Sequence, residues 1–226
     1  MPKALHSRAV EDYLKAIYKL GGDSEAVATS ALAEELSRTA ASVTNMVKGL
    51  ADRGLLEHTP YHGARLTETG RSAALRIIRR HRILETYLIE RLGFGWDTVH
   101  EEAERLEHAA SAALIESMAI ALGNPDVDPH GAPIPSQEGR IASRLLESLA
   151  DLPPGAGAVI REVPDEDPDR LRLLSSKGLL IGTPVVVVRA VPAGSSDEIL
   201  VSVSGTSTEV GADLARLIQV ERTIEK

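Results

Sequence analysis

Val10, Leu14, Ile17, Tyr18 and Leu20 recur at near-helical spacing, which predicts an amphipathic helix over residues 8–20. Thr29 or Ser30 is placed to cap a short helix over 31–36, and Thr39 to cap another running from Ala40 to about Arg53, where Gly54 stops it. Two short helices joined through Ser37-Arg38-Thr39 form a helix-turn-helix candidate. The strand-like pieces 55–59 and 64–67, set around Tyr61-His62-Gly63, read as a hairpin wing. Residues 1–72 are therefore predicted to be a winged helix-turn-helix.

From Glu68 to about Leu122 the pattern is helical, with one break at Gly93-Phe94-Gly95 and a new helix starting at Asp97 or Thr98. The run 108–122, HAASAALIESMAIAL, holds more apolar positions than one core face uses, which points to a dimer seam. This helical domain is drawn over 73–140. A Pro/Gly-rich loop at 126–139 precedes a helix-prone piece at 140–149 and a breaker cluster, DLPPGAG, so 141–156 reads as a linker. Beyond it, the β-branched runs 185–191 and 199–205 flank the turn-prone AGSSDE, and 217–221 offers a last strand. Residues 157–226 thus resemble a small SH3-like β-barrel. The fold class is mainly α with small β.

Charge changes this picture in one respect. The net charge of −8 argues against nucleic acid, yet residues 1–72 carry nine Lys+Arg against nine Asp+Glu, so the whole deficit falls in 73–226. The N-terminal third remains free to bind DNA. On its second short helix Thr39, Ser42, Thr44, Asn45 and Lys48 offer groups for bases or phosphates, and Arg65 of the wing adds a cation. The absence of cysteine excludes disulfides, thiolate metal sites and a thiol nucleophile. No apolar stretch is long enough for a membrane span and no signal core is present, so a cytoplasmic location is expected.

His100, Glu104, Glu107 and His108 fall at i, i+4, i+7 and i+8, which on one continuous helix puts all four on one stripe. His81 and Glu85 form a second i, i+4 pair, and Asp12, beside Glu11, is a third source of oxygen ligands. Such stripes are often only solvated faces, but the apolar run after His108 argues for burial of this one, and several helices converging on one point could hold a first-row divalent ion. No HExxH, phosphate-binding Gly loop or G-x-S-x-G elbow is present, so no enzyme is predicted.

These segments together resemble the metal-dependent regulators related to the diphtheria toxin repressor and the manganese transport regulators. The residues that carry the resemblance are VEDYLKAIYKL (10–20), the 30–56 helix-turn-helix unit, RRHRILETYL (79–88), VHEEAERLEHAAS (99–111), DPHGAPIP (128–135) and LRLLSSKGLLIGTPVVVV (171–188). The resemblance implies a primary metal site at Asp12, Glu104, Glu107 and His108. It also implies an ancillary site at His81, Glu85 and His100, with a third-domain ligand that aligns with Asp167. Iron-responsive members carry Met and Cys where Asp12 and Glu104 stand, and all-oxygen-and-nitrogen donors suit Mn(II). Fe(II), Co(II) and Zn(II) remain candidate ions. Two departures stand out: Lys15 replaces a Glu of the two-domain manganese regulators, against a closely spaced binuclear site, and Arg170 falls where some relatives place an amide ligand.

The resemblance thus implies a homodimeric Mn(II)-responsive regulator that binds a palindromic operator and represses metal-uptake genes, with no membrane partner. An Fe(II)-responsive member of the same family, a metal-independent winged-helix regulator and a metallohydrolase are the alternatives.

Overall fold

The computed structural model describes residues 7–59, 62–190 and 198–223. The chain divides into two compact units, one of residues 1–83, 104–117 and 134–141, the other of 84–103, 118–133 and 142–226. The predicted middle domain, 73–140, is therefore shared between the two. Tyr61 of the predicted wing turn and residues 193–197 of the AGSSDE turn lie outside the described residues.

In the first unit, α1 (Arg8–Lys19), α2 (Thr29–Glu35) and α3 (Ala40–Asp52) precede a hairpin of β1 (Leu56–Thr59) and β2 (Gly63–Leu66). Leu14, Ile17, Leu32, Val43, Val47 and Leu50 of the three helices meet Leu55, Leu56 and Leu66 in one core, as their spacing predicts. The Thr39 hydroxyl accepts from the Ser42 backbone N–H at 3.3 Å and caps α3. At α2 the cap differs from expectation: Thr29 is already helical and Ala28 is the extended capping residue. The cause is Val27, which exchanges backbone hydrogen bonds of 2.8 and 2.9 Å with Ala64 and holds the chain extended up to Ala28. That approach also explains Gly63, whose φ is +99° and where a Cβ would stand 2.3 Å from the Val27 carbonyl oxygen.

The long helix α4 (Glu68–Leu92) is followed by α5 (Val99–Leu106) and α6 (Ala112–Ala121). The single helix expected from residue 97 or 98 to 122 is broken after Leu106, where the Ala109 N–H turns back three residues to the Leu106 carbonyl. Ser111 then starts α6, accepting from the Leu114 N–H at 3.2 Å. Along α6, Leu114 and Ile120 are 47% and 69% exposed, a bare apolar surface on the run read as a dimer seam.

The second unit is built on an antiparallel sheet of β3 (Glu147–Ser148), β4 (Gly157–Glu162), β5 (Pro184–Arg189), β6 (Glu198–Val203), β7 (Thr206–Gly211) and β8 (Gln219–Arg222), in the order β3-β8-β4-β5-β6-β7. Bulges at 160–162 and 187–189 curl it around Leu171 and Leu174 of α7 (Pro168–Ser176) and Ala215 of α8 (Ala212–Leu217). Among the described residues its end strands β3 and β7 do not pair, so the predicted barrel is an SH3-like sheet without closure. The helix-prone piece 140–149 is not a helix. Leu145 is solvent-exposed there, Ser148 caps a short 3₁₀ turn at Leu149–Asp151, and only Leu149 and Leu152 reach the core.

Candidate metal centre

One cluster of ionisable side chains lies within the first unit. Helix α1 turns its apolar face to the core, which leaves Glu11, Asp12 and Lys15 on the side facing α4 and the end of α5. Because α5 stops at Leu106, Glu107 and His108 sit in the turn after it rather than on the predicted helical stripe. His108 Nε2 lies 2.9 Å from Asp12 Oδ1 and 3.3 Å from Glu107 Oε1. These three ligand-type atoms are spaced as donors are around a single ion with bonds of about 2.1 Å. Nε2 is buried and makes no hydrogen bond, although two carboxylate oxygens stand beside it.

The other ring nitrogen explains that orientation. His108 Nδ1 is 2.8 Å from Glu11 Oε2, and the same oxygen accepts from Arg80 Nη2 at 2.7 Å. A proton held on Nδ1 by a carboxylate leaves the Nε2 lone pair directed at Asp12 and Glu107, the arrangement in which an imidazole binds a metal. The sequence gives Glu11 no role of its own, although its position one residue before Asp12 on the same helix is the available signal.

Glu107 is the most enclosed member, with no exposed side-chain surface. Lys15 Nζ donates to both of its oxygens, at 3.0 and 2.9 Å, and also to Glu104. His81 Nδ1 stands 2.8 Å from Glu107 Oε2 and 3.8 Å from Glu104 Oε1. Burial pushes the Glu107 carboxyl up, but the His81 hydrogen bond and the Lys15 ammonium outweigh it and hold the pKa at about 2. Asp12 goes the other way: burial raises it, and His108 and Arg8 only partly offset that. Asp12 is thus a carboxylate that the chain's own cations leave short of compensation. A surface cleft lined by Ala9, Asp12, Lys15, Glu35 and Glu104 among others leads to it.

A separate group lies in the second unit. His100 Nδ1 is 3.2 Å from Glu85 Oε1 and 3.7 Å from Asp165 Oδ2. Burial alone would lower the His100 pKa, yet the hydrogen bonds with Asp165 and Glu85 dominate and raise it to about 10. His81 precedes Glu85 by one turn of α4, as their spacing predicts. Asp167, the residue aligned as a third-domain ligand, is engaged elsewhere. It is the N-cap of α7, accepting from the N–H groups of Asp169 and Arg170 at 2.9 and 3.2 Å, and it pairs with the Arg170 guanidinium. Asp165, two residues earlier, stands beside His100. His130, which carried no sequence signal, is fully buried, stacks on Trp96 with ring centroids 5.3 Å apart, and sits 2.9 Å by Nε2 from the Trp96 carbonyl.

On the reading helix, Ser42, Asn45 and Lys48 are exposed together, while the Thr44 hydroxyl donates to the Ala40 carbonyl at 2.8 Å. Arg65 is exposed on the wing and paired with Glu57 at 2.7 Å.

A winged helix-turn-helix whose first helix carries a ligand-like cluster defines a class of DNA-binding regulator that senses a small cation. Residues 6–64 match the iron-dependent repressor N-terminal DNA-binding domain, 67–136 the iron-dependent repressor metal-binding and dimerisation domain, and 147–222 the FeoA domain. The iron-dependent repressor IdeR of Mycobacterium tuberculosis is 30% identical over 197 residues, 81% of this chain and 85% of that protein. A manganese-dependent transcriptional repressor solved in complex with manganese is 34% identical, covers 95% of this chain and all of its own, and superposes with a TM-score of 0.87. ScaR with bound Zn²⁺ is 28% identical, covers 95% of this chain and 99% of its own, with a TM-score of 0.82. The chain belongs to the diphtheria toxin repressor family of metal-dependent transcriptional repressors. It is a DNA-binding repressor, not an enzyme, and its partners are DNA and a second copy of itself. No helix of the described residues is long and apolar enough to cross a membrane.

Proposed function

We propose that this chain is an Mn(II)-responsive homodimeric repressor that acts in the cytoplasm on a palindromic operator of metal-uptake genes. The observation that carries the proposal is the convergence of Asp12 Oδ1, Glu107 Oε1 and His108 Nε2, with Glu104 alongside. Every donor is oxygen or nitrogen, which suits Mn(II) and offers no sulfur to favour softer ions. An ion bound there supplies the positive charge that Asp12 lacks and joins α1 to the turn after α5. Asp12 holds α1, Glu107 and His108 hold the turn, and Glu11 with Arg80 keeps the His108 ring in its ligating orientation. With α1 held, the population in which two α3 helices stand about 34 Å apart on the dimer rises, and both half-sites are read together. Glu85, His100 and Asp165 form a second site in the same reading.

The test is fluorescence anisotropy of a selected palindromic duplex, titrated with Mn(II) and then stripped with EDTA at constant salt. Affinity should rise with the ion and fall on chelation, and Glu107→Ala and His108→Ala should abolish the rise. DNA binding that ignores both the ion and EDTA would remove the metal-responsive reading. An anaerobic Fe(II) titration that activates at lower free concentration than Mn(II) would replace the ion assignment by Fe(II). Activation by Zn(II) or Co(II) at low concentration is expected from intrinsic affinity order and does not identify the working ion.

A further inference from the structure

Among the described residues two glycines lie inside helices, Gly49 in α3 and Gly70 in α4. Glycine in a helix interior is less stable than alanine, so each calls for a reason beyond the helix itself. Gly70 has one within the protein: a Cβ at that position would stand 2.0 Å from the Leu55 carbonyl oxygen. Gly49 has no such neighbour. Its φ lies outside the left-handed region, it is exposed, and a Cβ built on it meets no atom within 4 Å. Nothing inside the chain stands against an alanine there, and the helix would gain by it.

The place of Gly49 in the fold supplies the reason. Val43, Val47 and Leu50 turn one side of α3 into the core. Asn45, one turn before Gly49, and Ser42, two turns before it, share the exposed remainder with it. In a helix-turn-helix the exposed side of the second helix is the side that enters the major groove. That groove is about 12 Å wide, and a helix with its side chains is about 10–12 Å across, so a single side chain decides how closely the two can approach.

We propose that Gly49 sets the depth at which α3 lies in the major groove: the helix backbone at Gly49 packs directly against the DNA, and that depth brings the Asn45 amide to a base edge. Gly49 is then a positioning residue that acts through Asn45, whose carbonyl and amino groups match adenine. The proposal rests on the operator-reading function proposed above and is independent of the ion that activates it. Helix propensity forgone at an exposed position with no internal cause is the local conflict expected where a surface is shaped for a partner.

The test is fluorescence anisotropy of the native chain, Gly49→Ala and Gly49→Lys at saturating Mn(II) and constant salt. Each is measured on a duplex selected by the native protein and on a random-sequence duplex of equal length, and each protein is also melted. Gly49→Ala should melt a few degrees above the native chain, yet bind the selected duplex about tenfold or more weakly, as expected when a methyl group is forced into a close-packed contact. Its affinity for the random duplex should stay near native. Gly49→Lys should bind the random duplex more tightly, through its added charge, and the selected duplex more weakly; a lysine that only met phosphate would strengthen both. Asn45→Ala should weaken selected-duplex binding in the native background and add little in Gly49→Ala, where the Asn45 contact is already lost.

Selected-duplex affinity of Gly49→Ala within twofold of native would overturn the proposal. Equal losses on both duplexes, or full additivity with Asn45→Ala, would overturn it as well, since Gly49 would then not act through base reading. Melting of Gly49→Ala below the native chain would show that the glycine serves the fold, which removes the premise. A native chain that binds both duplexes equally would fail on operator reading itself, before any variant is compared.

Discussion

Glu11→Gln tests the architecture of the first cluster without touching a ligand. Glu11 is buried, and its Oε2 accepts from both His108 Nδ1 and Arg80 Nη2, at 2.8 and 2.7 Å. An amide oxygen in the same place can accept from both donors but lacks the charge that makes each bond strong, and the His108 ring is then no longer committed to the tautomer with a free Nε2. Loss of such an outer partner of a ligating histidine lowers metal affinity about 10–100-fold, equivalent to about 1.4–2.7 kcal/mol. In the anisotropy titration the half-activating Mn(II) concentration should rise by that factor. The DNA affinity at saturating Mn(II) should match the native protein, since Asp12, Glu107 and His108 remain. Competition with a chromophoric chelator gives the metal affinity directly and should shift equally. A half-activating concentration within twofold of native, in a folded dimer, would refute the claim that Glu11 orients His108. A lowered DNA plateau with unchanged metal affinity would show that Glu11 acts on the reading head instead.

Four further substitutions separate the remaining assignments. Asp165→Asn should weaken ion binding at the second site by tenfold or more. Asp167→Ala should leave it unchanged and lower stability by about 1 kcal/mol through loss of the α7 cap, both read by dialysis and denaturant unfolding. Lys48→Ala should weaken operator and random-sequence DNA alike and reduce the slope of log K against log salt by about one, if Lys48 meets a phosphate. Ile120→Asp, placed on the bare surface of α6, should shift the dimer to monomer in sedimentation at micromolar protein without lowering the melting temperature of the chain by more than a few degrees.

The reading unit was legible because its signals are local: the Thr39 cap, Gly54, and the spacing of Leu14, Ile17, Val43 and Val47 each act within a few residues. The break after Leu106 was not, since Glu107 to Ala110 are acceptable helix formers. Glu107 lies outside the helix where it meets Lys15 and His81, partners far away in sequence, although Ser111 was a usable cap signal. Strands β4 and β7 escaped notice for a similar reason: Gly157 and the polar run from Thr206 have weak intrinsic preference and become strands by pairing with β5, β6 and β8. Within the site, Asp12, Glu107 and His108 could be named from residue type and resemblance. Lys15 stood out only as a departure from the resemblance and Glu11 only as the neighbour of Asp12; the burial of both was not legible, because charged residues on a helix face look solvated until the packing buries them. Asp167 illustrates the opposite error. The Asp-Pro pair at 167–168 is a helix-start signal, and the demands of the cap outcompete the role that alignment suggested.

Coupling between ion and DNA then follows from which helix carries which residues. Leu14 and Ile17 on one side of α1 are fully buried in the same core as Val43, Val47 and Leu50 of α3, so α1 cannot move far without moving the reading helix. On its other side Glu11, Asp12 and Lys15 face α4 and the turn that precedes α6. A force applied at Asp12 is therefore applied to α3 through a packed interior, with no flexible joint between them. The size of the response is limited by the difference in ion affinity between the reading-competent arrangement and the others: each tenfold difference contributes 1.4 kcal/mol to the shift. Glu107 and His108, held by Lys15, His81, Glu11 and Arg80 before any ion binds, have little left to gain. Asp12 is the half-exposed member whose carboxyl burial disfavours in its charged form, and so it is the residue through which ion affinity can differ between arrangements. Asp12→Ala should accordingly retain part of the ion affinity, through Glu107 and His108, while losing the increase in DNA affinity. Equal proportional losses of both would show that coupling runs through the turn after α5 rather than through α1.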